Sequence, residues 1–181
     1  MGEEADNSCF EVIDAMTCEQ CAEFYSNNCP PHEFSQILAQ VGKTYNNALI
    51  VVESQNSGLT VLEKLQHEFF YDNLFDSSSG GKPQPGIKTT KSNRPKYLET
   101  LQTRLLNQSL AVRSKRLIKE LKGFIWNPQT RRAEASKGFH DDAIIALCLA
   151  LYARDSKNRN MPVGTDIQEE HSEAFKAEIL E

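Results

Sequence analysis

Apolar and polar positions alternate in two short runs near the start of the chain, Phe10–Asp14 (FEVID) and Cys21–Ser26 (CAEFYS). A period of two turns one face of a strand toward a core, and the turn-like stretch Thr17–Gln20 between the runs predicts an antiparallel hairpin. Pro30 and Pro31 end it. From His32 to Val41 the period becomes helical, with Phe34, Ile37, Leu38 and Val41 along one side and Gly42 as the stop. Ala48–Val52 (ALIVV) is a continuous apolar run ending in Glu53. Such a run suits a strand buried on both faces, hence a parallel strand in a sheet covered by helices. Ser54–Gly58 breaks the run, and Leu59–Phe69 predicts a second helix.

The loop Asp76–Pro85 is rich in Ser, Gly and Pro. Pro95 suits the first turn of a helix whose apolar face is Tyr97, Leu98, Leu101 and Leu105. Leu117–Trp126 reads as a short helix followed by a strand from Gly123, and 127–138 as turn and loop. Asp141–Ala153 is the most apolar helical stretch. Beyond Arg154 the chain turns polar. The pattern therefore predicts one α/β domain over residues 1–155 and a polar tail or partial helix over 156–181.

Composition changes this picture in three places. A length of 181 residues is ordinary for one domain with a real core. The longest apolar run, Ala143–Ala153, is too short to span a bilayer, and the acidic N-terminus lacks the basic start of a signal peptide. With five cysteines, an odd number, the expectation is reduced thiols in a cytoplasmic protein. The net charge of −5 is unevenly spread: residues 1–81 carry 2 basic and 13 acidic side chains, 82–137 carry 14 and 3, and 138–181 carry 4 and 9. A basic segment inside an acidic chain fits a polyanion-binding surface, or else a lysine-rich solvated face.

The candidate chemistry is acidic. Glu53 ends a buried strand, where α/β folds place their sites, and Asp141 and Asp142 open the apolar helix. Clustered carboxylates suit Mg²⁺ or Mn²⁺, which take oxygen ligands. Each also has a duller role, since an Asp at a helix start is a good cap.

Several segments together carry a resemblance. VVESQNSG at 51–58, GIKTTKSNRP at 86–95, ELKGFIW at 120–126 and GFHDDAIIALCLA at 138–150, with YNNALIVVE at 45–53, resemble in order the nuclease domain of phage large terminase subunits. The resemblance implies an RNase H-like mixed sheet with helices on both faces, and a two-ion endonuclease that cuts concatemeric double-stranded DNA during packaging. It implies Glu53 and Asp142 as metal-binding acids, Asp141 as a supporting catalytic acid, and His140 and Asn56 as neighbours of the ligands. Lys88, Lys91, Arg94 and Lys96 are the expected phosphate contacts. The implied partners are a fused packaging ATPase, a portal and a small terminase subunit. The sequence departs from the family at its start. The first catalytic Asp and its strand would lie upstream of Met1, and Glu4 and Asp6 sit too late to align with it. A domain without that strand is expected to be marginal or to borrow a strand from another chain.

Three other readings stay open. Cys18, Cys21, Cys29 and His32 (C-x2-C-x7-C-x2-H) have a tolerable zinc spacing, but incidental thiols are the expectation. The missing first acid favours an inactive docking or DNA-holding module of a prophage terminase. Another RNase H-like enzyme, such as a junction resolvase, fits the Thr-Thr…Arg-Pro and HDDA segments less well.

Overall fold

A computed structural model describes residues 7–158 except 79, 80, 131, 137 and 139. Glu4, Asp6 and nearly all of the polar tail lie outside the described residues. The first hairpin forms as expected: β1 (Ser8–Ile13) pairs antiparallel with β2 (Gln20–Ser26), placing Phe10 opposite Phe24. The alternation fixes this register, because a one-residue slip would turn both rings to the other face. The two rings stack at 5.4 Å, and Phe34 lies 6.2 and 5.8 Å from them. Phe34 belongs to α1 (Pro31–Thr44), which begins at a proline whose missing N–H would have no partner in a first turn anyway. Four helices follow: α2 (Ser57–His67), α3 (Arg94–Leu106), α4 (Lys115–Gly123) and α5 (Asp142–Asn158).

Ala48–Glu53 runs extended between α1 and α2. Ile50 bridges Leu74 and Glu53 bridges Ile87, both parallel. Where a parallel strand was expected, the run makes these two isolated parallel bridges and no strand among the described residues. The expected continuous mixed sheet does not form: among the described residues the sheets are two antiparallel pairs, β1–β2 and β3 (Phe124–Asn127) with β4 (Arg132–Ala135). The cause lies at one edge. Ile50 N–H donates to Asn73 O, Phe75 N–H to Ile50 O, Ile87 N–H to Val52 O and Ser54 N–H to Ile87 O, all on the same side of the extended run. The opposite side, at Leu49 and Val51, lines a cavity of about 830 Å³ whose far wall is β1. Phe34, Leu38 and Val41 of α1 and Ile145, Leu149 and Ala153 of α5 also line it.

A second correction concerns 127–138, read above as turn and loop. Its second half is β4, with Ala135 opposite Phe124. The sequence RAEA is too short and too polar to show a period. What specifies the strand is the turn: Asn127 Oδ1 accepts from Gln129 and Thr130 N–H at 2.9 and 3.4 Å, and its amide donates to Glu134.

The core falls into two clusters. One surrounds α5, where Ile144, Leu147 and Leu151 are fully buried against Leu117 of α4 and Tyr97 and Leu101 of α3. The other packs Val61, Leu62 and Leu65 of α2 against Leu38 and Ala39 of α1 and against Ile50 and Val52. The extended run and the start of α5 are thus each anchored from behind by packed apolar side chains. Among the described residues no helix is long and apolar enough to cross a membrane.

Candidate functional site

Glu53 is held where the extended run ends, by the paired bonds of Val52 and Ser54 to Ile87. Two glycines let other backbone approach it closely. A Cβ on Gly58, in the first turn of α2, would collide with the carbonyl of Glu53. A Cβ on Gly86, which has φ +81, would lie 2.6 Å from the carbonyl of Val52. Gln55 Nε2 reaches Glu53 Oε1 at 3.4 Å and donates to the carbonyl of Thr89 at 2.5 Å. Asn56 caps α2 with φ +47 and is exposed.

Asp142 is the first residue of α5, and its Oδ2 accepts from Asn7 Nδ2 at 2.8 Å. Asp141 starts that helix, accepting from Ile145 N–H at 2.9 Å through its carbonyl. Its carboxylate is engaged elsewhere, by Arg94 at 2.6 Å. Glu53, Asp141 and Asp142 all line the same cavity, together with Asn7, Gln55, Asn56, Thr89 and Arg94. Glu53, Asp141 and Asp142 thus line one cavity, from the end of an extended run and from the start of a helix, without closing into a group of three that could hold a metal ion among the described residues. His140 is exposed just before α5.

The basic residues separate into two groups. Arg94, Arg104, Arg113 and Arg116 pair with Asp141, Asp155, Glu19 and the Glu23–Glu120 pair, so their charge holds the fold together. Lys88, Lys91 and Lys96 are exposed. Lys88 lines a separate hollow with Ser54, Glu63 and His67, and Lys96 Nζ lies 5.1 Å from the Tyr152 ring centre.

Sequence reading missed two carboxyls. Glu11 of β1 lines the cavity and receives Gln20 Nε2 at 2.6 Å, leaving its Oε1 buried without a partner. Burial, helped by nearby Glu23, pushes it up to about 8. Glu120 of α4 is also raised, by burial first and with Asp142 contributing, against the pull of Arg116. Nothing in FEVID marked Glu11, since alternating strands usually turn such a residue to solvent. In the folded chain Glu11 keeps its proton to about pH 8, whereas the free side chain ionises near 4.5. Stability therefore falls as pH rises through that window. Glu11 is partly open to solvent, so the loss is expected to be about 2 kcal/mol, below the full linkage value. Thermal unfolding at pH 5 and pH 8 checks this: Glu11→Gln should flatten most of the difference.

The four residues with zinc-like spacing do not gather. Cys18 is buried and takes Arg104 NH1 at 3.2 Å, Cys21 is exposed, and His32 pairs with Glu68 at 3.3 Å. Among the described residues no three His, Cys, Asp or Glu side chains converge closely enough to hold a metal ion. Glu53 and Asp142 still fit a hard divalent cation in kind, since both offer carboxylate oxygen at the cavity wall.

No family model matches the chain, and no curated protein does. Solved structures do. The large terminase nuclease of thermophilic phage G20c with bound magnesium is similar with a TM-score of 0.68 at 19% identity. The same nuclease with bound cobalt gives 0.67 at 19%, and a further structure of that nuclease gives 0.66 at 20%. Each match covers 84% of this chain and 77% of the other. At that identity the likeness establishes the fold: this chain has the fold of a large terminase nuclease.

Proposed function

We propose that this chain is the metal-dependent, RNase H-like endonuclease domain of a phage-type DNA-packaging terminase, with Glu53 and Asp142 as metal-binding acids. The observation that carries the reading is their placement. In a chain with the terminase nuclease fold, both carboxylates line one cavity, at an extended-run end and a helix start. Two Mg²⁺ or Mn²⁺ ions held about 4 Å apart would activate a water and stabilise the leaving oxygen of a phosphodiester. The chain's own part is to hold the ligands. The Gly58 and Gly86 contacts fix the backbone at Glu53, Asn7 orients Asp142, and Asp141 supports it from the start of the helix. Asn56 and His140 flank the two ends as neighbours of the ligands.

In this reading the third acid comes from a further strand seated between Leu49–Val51 and β1. A strand occupies about 4.8 Å across a sheet, about 3.3 Å per residue along it and about 10 Å through the packed layers. A cavity of about 830 Å³ therefore holds roughly five residues of strand. Such a strand would satisfy Leu49–Val51 and the outer edge of β1, neither of which has a backbone partner among the described residues. A packaging ATPase, a portal and a small terminase subunit are then the expected partners, in the host cytoplasm. The decisive experiment is Mn²⁺ binding by the chain, which Glu53→Gln or Asp142→Asn should abolish.

A second reading has one observation in its favour. Because no metal-holding group of three is complete among the described residues, the same fold could hold DNA without cutting it. In either case Lys88, Lys91 and Lys96 contact phosphates without reading bases. Arg94, also expected there, has its guanidinium committed to Asp141 and is a weaker candidate. Alanine at Lys88 or Lys91 should weaken binding equally on unrelated sequences and flatten the salt dependence by roughly one unit per contact. Titration of labelled duplexes across a salt series measures this, and an unchanged slope would assign these lysines to a solvated face.

A further inference from the structure

Arg94 was expected at the DNA surface, yet every described contact of its side chain runs inward. It is the first residue of α3. One guanidinium nitrogen donates to Asp141 Oδ2 at 2.6 Å and another to the carbonyl of Ala133 in β4, also at 2.6 Å. The guanidinium carbon lies 5.8 Å from the ring centre of Phe124 in β3. One side chain thus joins the N-termini of two helices and the outer hairpin. The segment leading into it is fixed as well. Thr90 and Asn93 bond each other's backbone, Asn93 donates to Lys88 O at 2.8 Å, and Gln55 ties Thr89 O back toward Glu53. A continuous set of bonds therefore leads from Glu53 to Asp141 along one wall of the cavity.

We propose that Arg94 is a positioning residue that divides the two adjacent aspartates between two jobs. It holds Asp141 as an anchor for the β3–β4 hairpin and for the start of α5, and leaves the Asp142 carboxylate, on the same cavity as Glu53, to take the cation. The chemistry requires an arginine. Its planar fork can donate to a carboxylate and a backbone carbonyl at once, whereas a lysine ammonium is a single point charge on a flexible stem. Neutralising Asp141 also removes one of two like charges that would otherwise repel each other at neighbouring positions. The hairpin gains most from the anchor. Its strands pair only with each other among the described residues, and its Ile125 and Trp126 are 50% and 65% exposed.

The inference uses the nuclease reading only in taking the cavity as a cation site, and its test keeps the two apart. Mn²⁺ affinity is measured by electron paramagnetic resonance, and amide exchange of β4 by mass spectrometry. The proteins are the full chain, Arg94→Gln, Arg94→Lys, Asp141→Asn and Asp142→Asn. Removing a hydrogen-bonding partner of a metal ligand itself typically weakens the site about 10- to 100-fold, and Arg94, which acts on Asp142 only through the start of α5, should fall at the low end of that range. Arg94→Gln should weaken Mn²⁺ binding about tenfold and speed β4 exchange by a similar factor, with Arg94→Lys recovering only part of either. Asp141→Asn, whose amide oxygen can still accept from Arg94, should lose only several-fold, while Asp142→Asn loses binding altogether. Equal losses at Asp141 and Asp142, or Arg94→Gln without effect on either measurement, would overturn the proposal. If the full chain binds no Mn²⁺, the nuclease reading falls, and β4 exchange in Arg94→Gln alone decides the role of Arg94.

Discussion

Fusing a further apolar strand that ends in Asp to this chain is expected to raise Mn²⁺-dependent plasmid cleavage about 100-fold or more, since a ligand itself should be worth at least the upper end of what an outer partner of a ligand is worth. The argument is electrostatic and geometric. Two divalent ions bring four positive charges into one cavity, while Glu53 and Asp142 offer two negative charges at its wall. Asp141 adds little, because Arg94 already neutralises it at 2.6 Å. A third carboxylate bridging both ions would fix their spacing, on which two-ion hydrolysis depends. The same strand would bond the edges at Leu49–Val51 and β1, so the extended protein should also unfold at a higher temperature. Cleavage and melting are compared for the chain as given, the extended chain and the extended chain with Asp142→Asn. Robust cleavage by the chain as given would move the first acid to Glu4 or Asp6. No cleavage by any of the three would leave the DNA-holding reading in possession of the data.

Gly58→Ala is expected to be the most damaging single-atom-group change near the site. A Cβ there meets the backbone carbonyl of Glu53 and not the end of a side chain, so a helix or the extended run must move. Overpacking of this kind costs about 1–3 kcal/mol and more where backbone is the obstacle. At about 3 kcal/mol the thermal midpoint of a domain this size should fall by roughly 10 °C. Gly86→Ala adds a φ of +81 to its contact with Val52 O and should behave alike. Leu59→Ala, on the same turn of α2 but 57% exposed, should change stability by no more than about 0.5 kcal/mol. Because both glycines press on the run that carries Glu53, their alanine variants should also lose Mn²⁺ affinity while Leu59→Ala keeps it.

Strongly periodic segments carried their structure in the sequence. The FEVID–CAEFYS hairpin, α1, α3 and α5 follow from runs whose apolar spacing has one consistent reading; α5 buries its apolar residues almost entirely, while on α3 Tyr97 and Leu101 are buried and Leu105 is 40% exposed. Glu53, Asp141 and Asp142 stood out in the sequence because each sits at the end of such a run, and the structure puts all three on one cavity. The missing information is of two kinds. Short polar elements such as Arg132–Ala135 have no period to read, and their pairing is set by the turn at Asn127. Partnerships between distant residues leave no trace in composition either. Arg94 looks like one more cation in a basic segment until Asp141 and Ala133, 47 and 39 residues away, close on it. Glu11 looks like a solvent-facing residue of a half-buried strand, but it lines the cavity with its outer oxygen unpartnered. The expected single sheet failed for the same reason, since strand edges need neighbours and the neighbour of Leu49–Val51 is not among the described residues.

The central claim is that Glu53 and Asp142 share a divalent cation, and anomalous diffraction from crystals soaked in Mn²⁺ tests it most directly. The account predicts a peak between the two carboxylates, with oxygen contacts of about 2.0–2.2 Å, close to those of Mg²⁺. It predicts none at Asp141, whose carboxylate stays on Arg94. A cavity without a peak, or carboxylates held more than about 10 Å apart and so beyond the reach of paired ions, would contradict it.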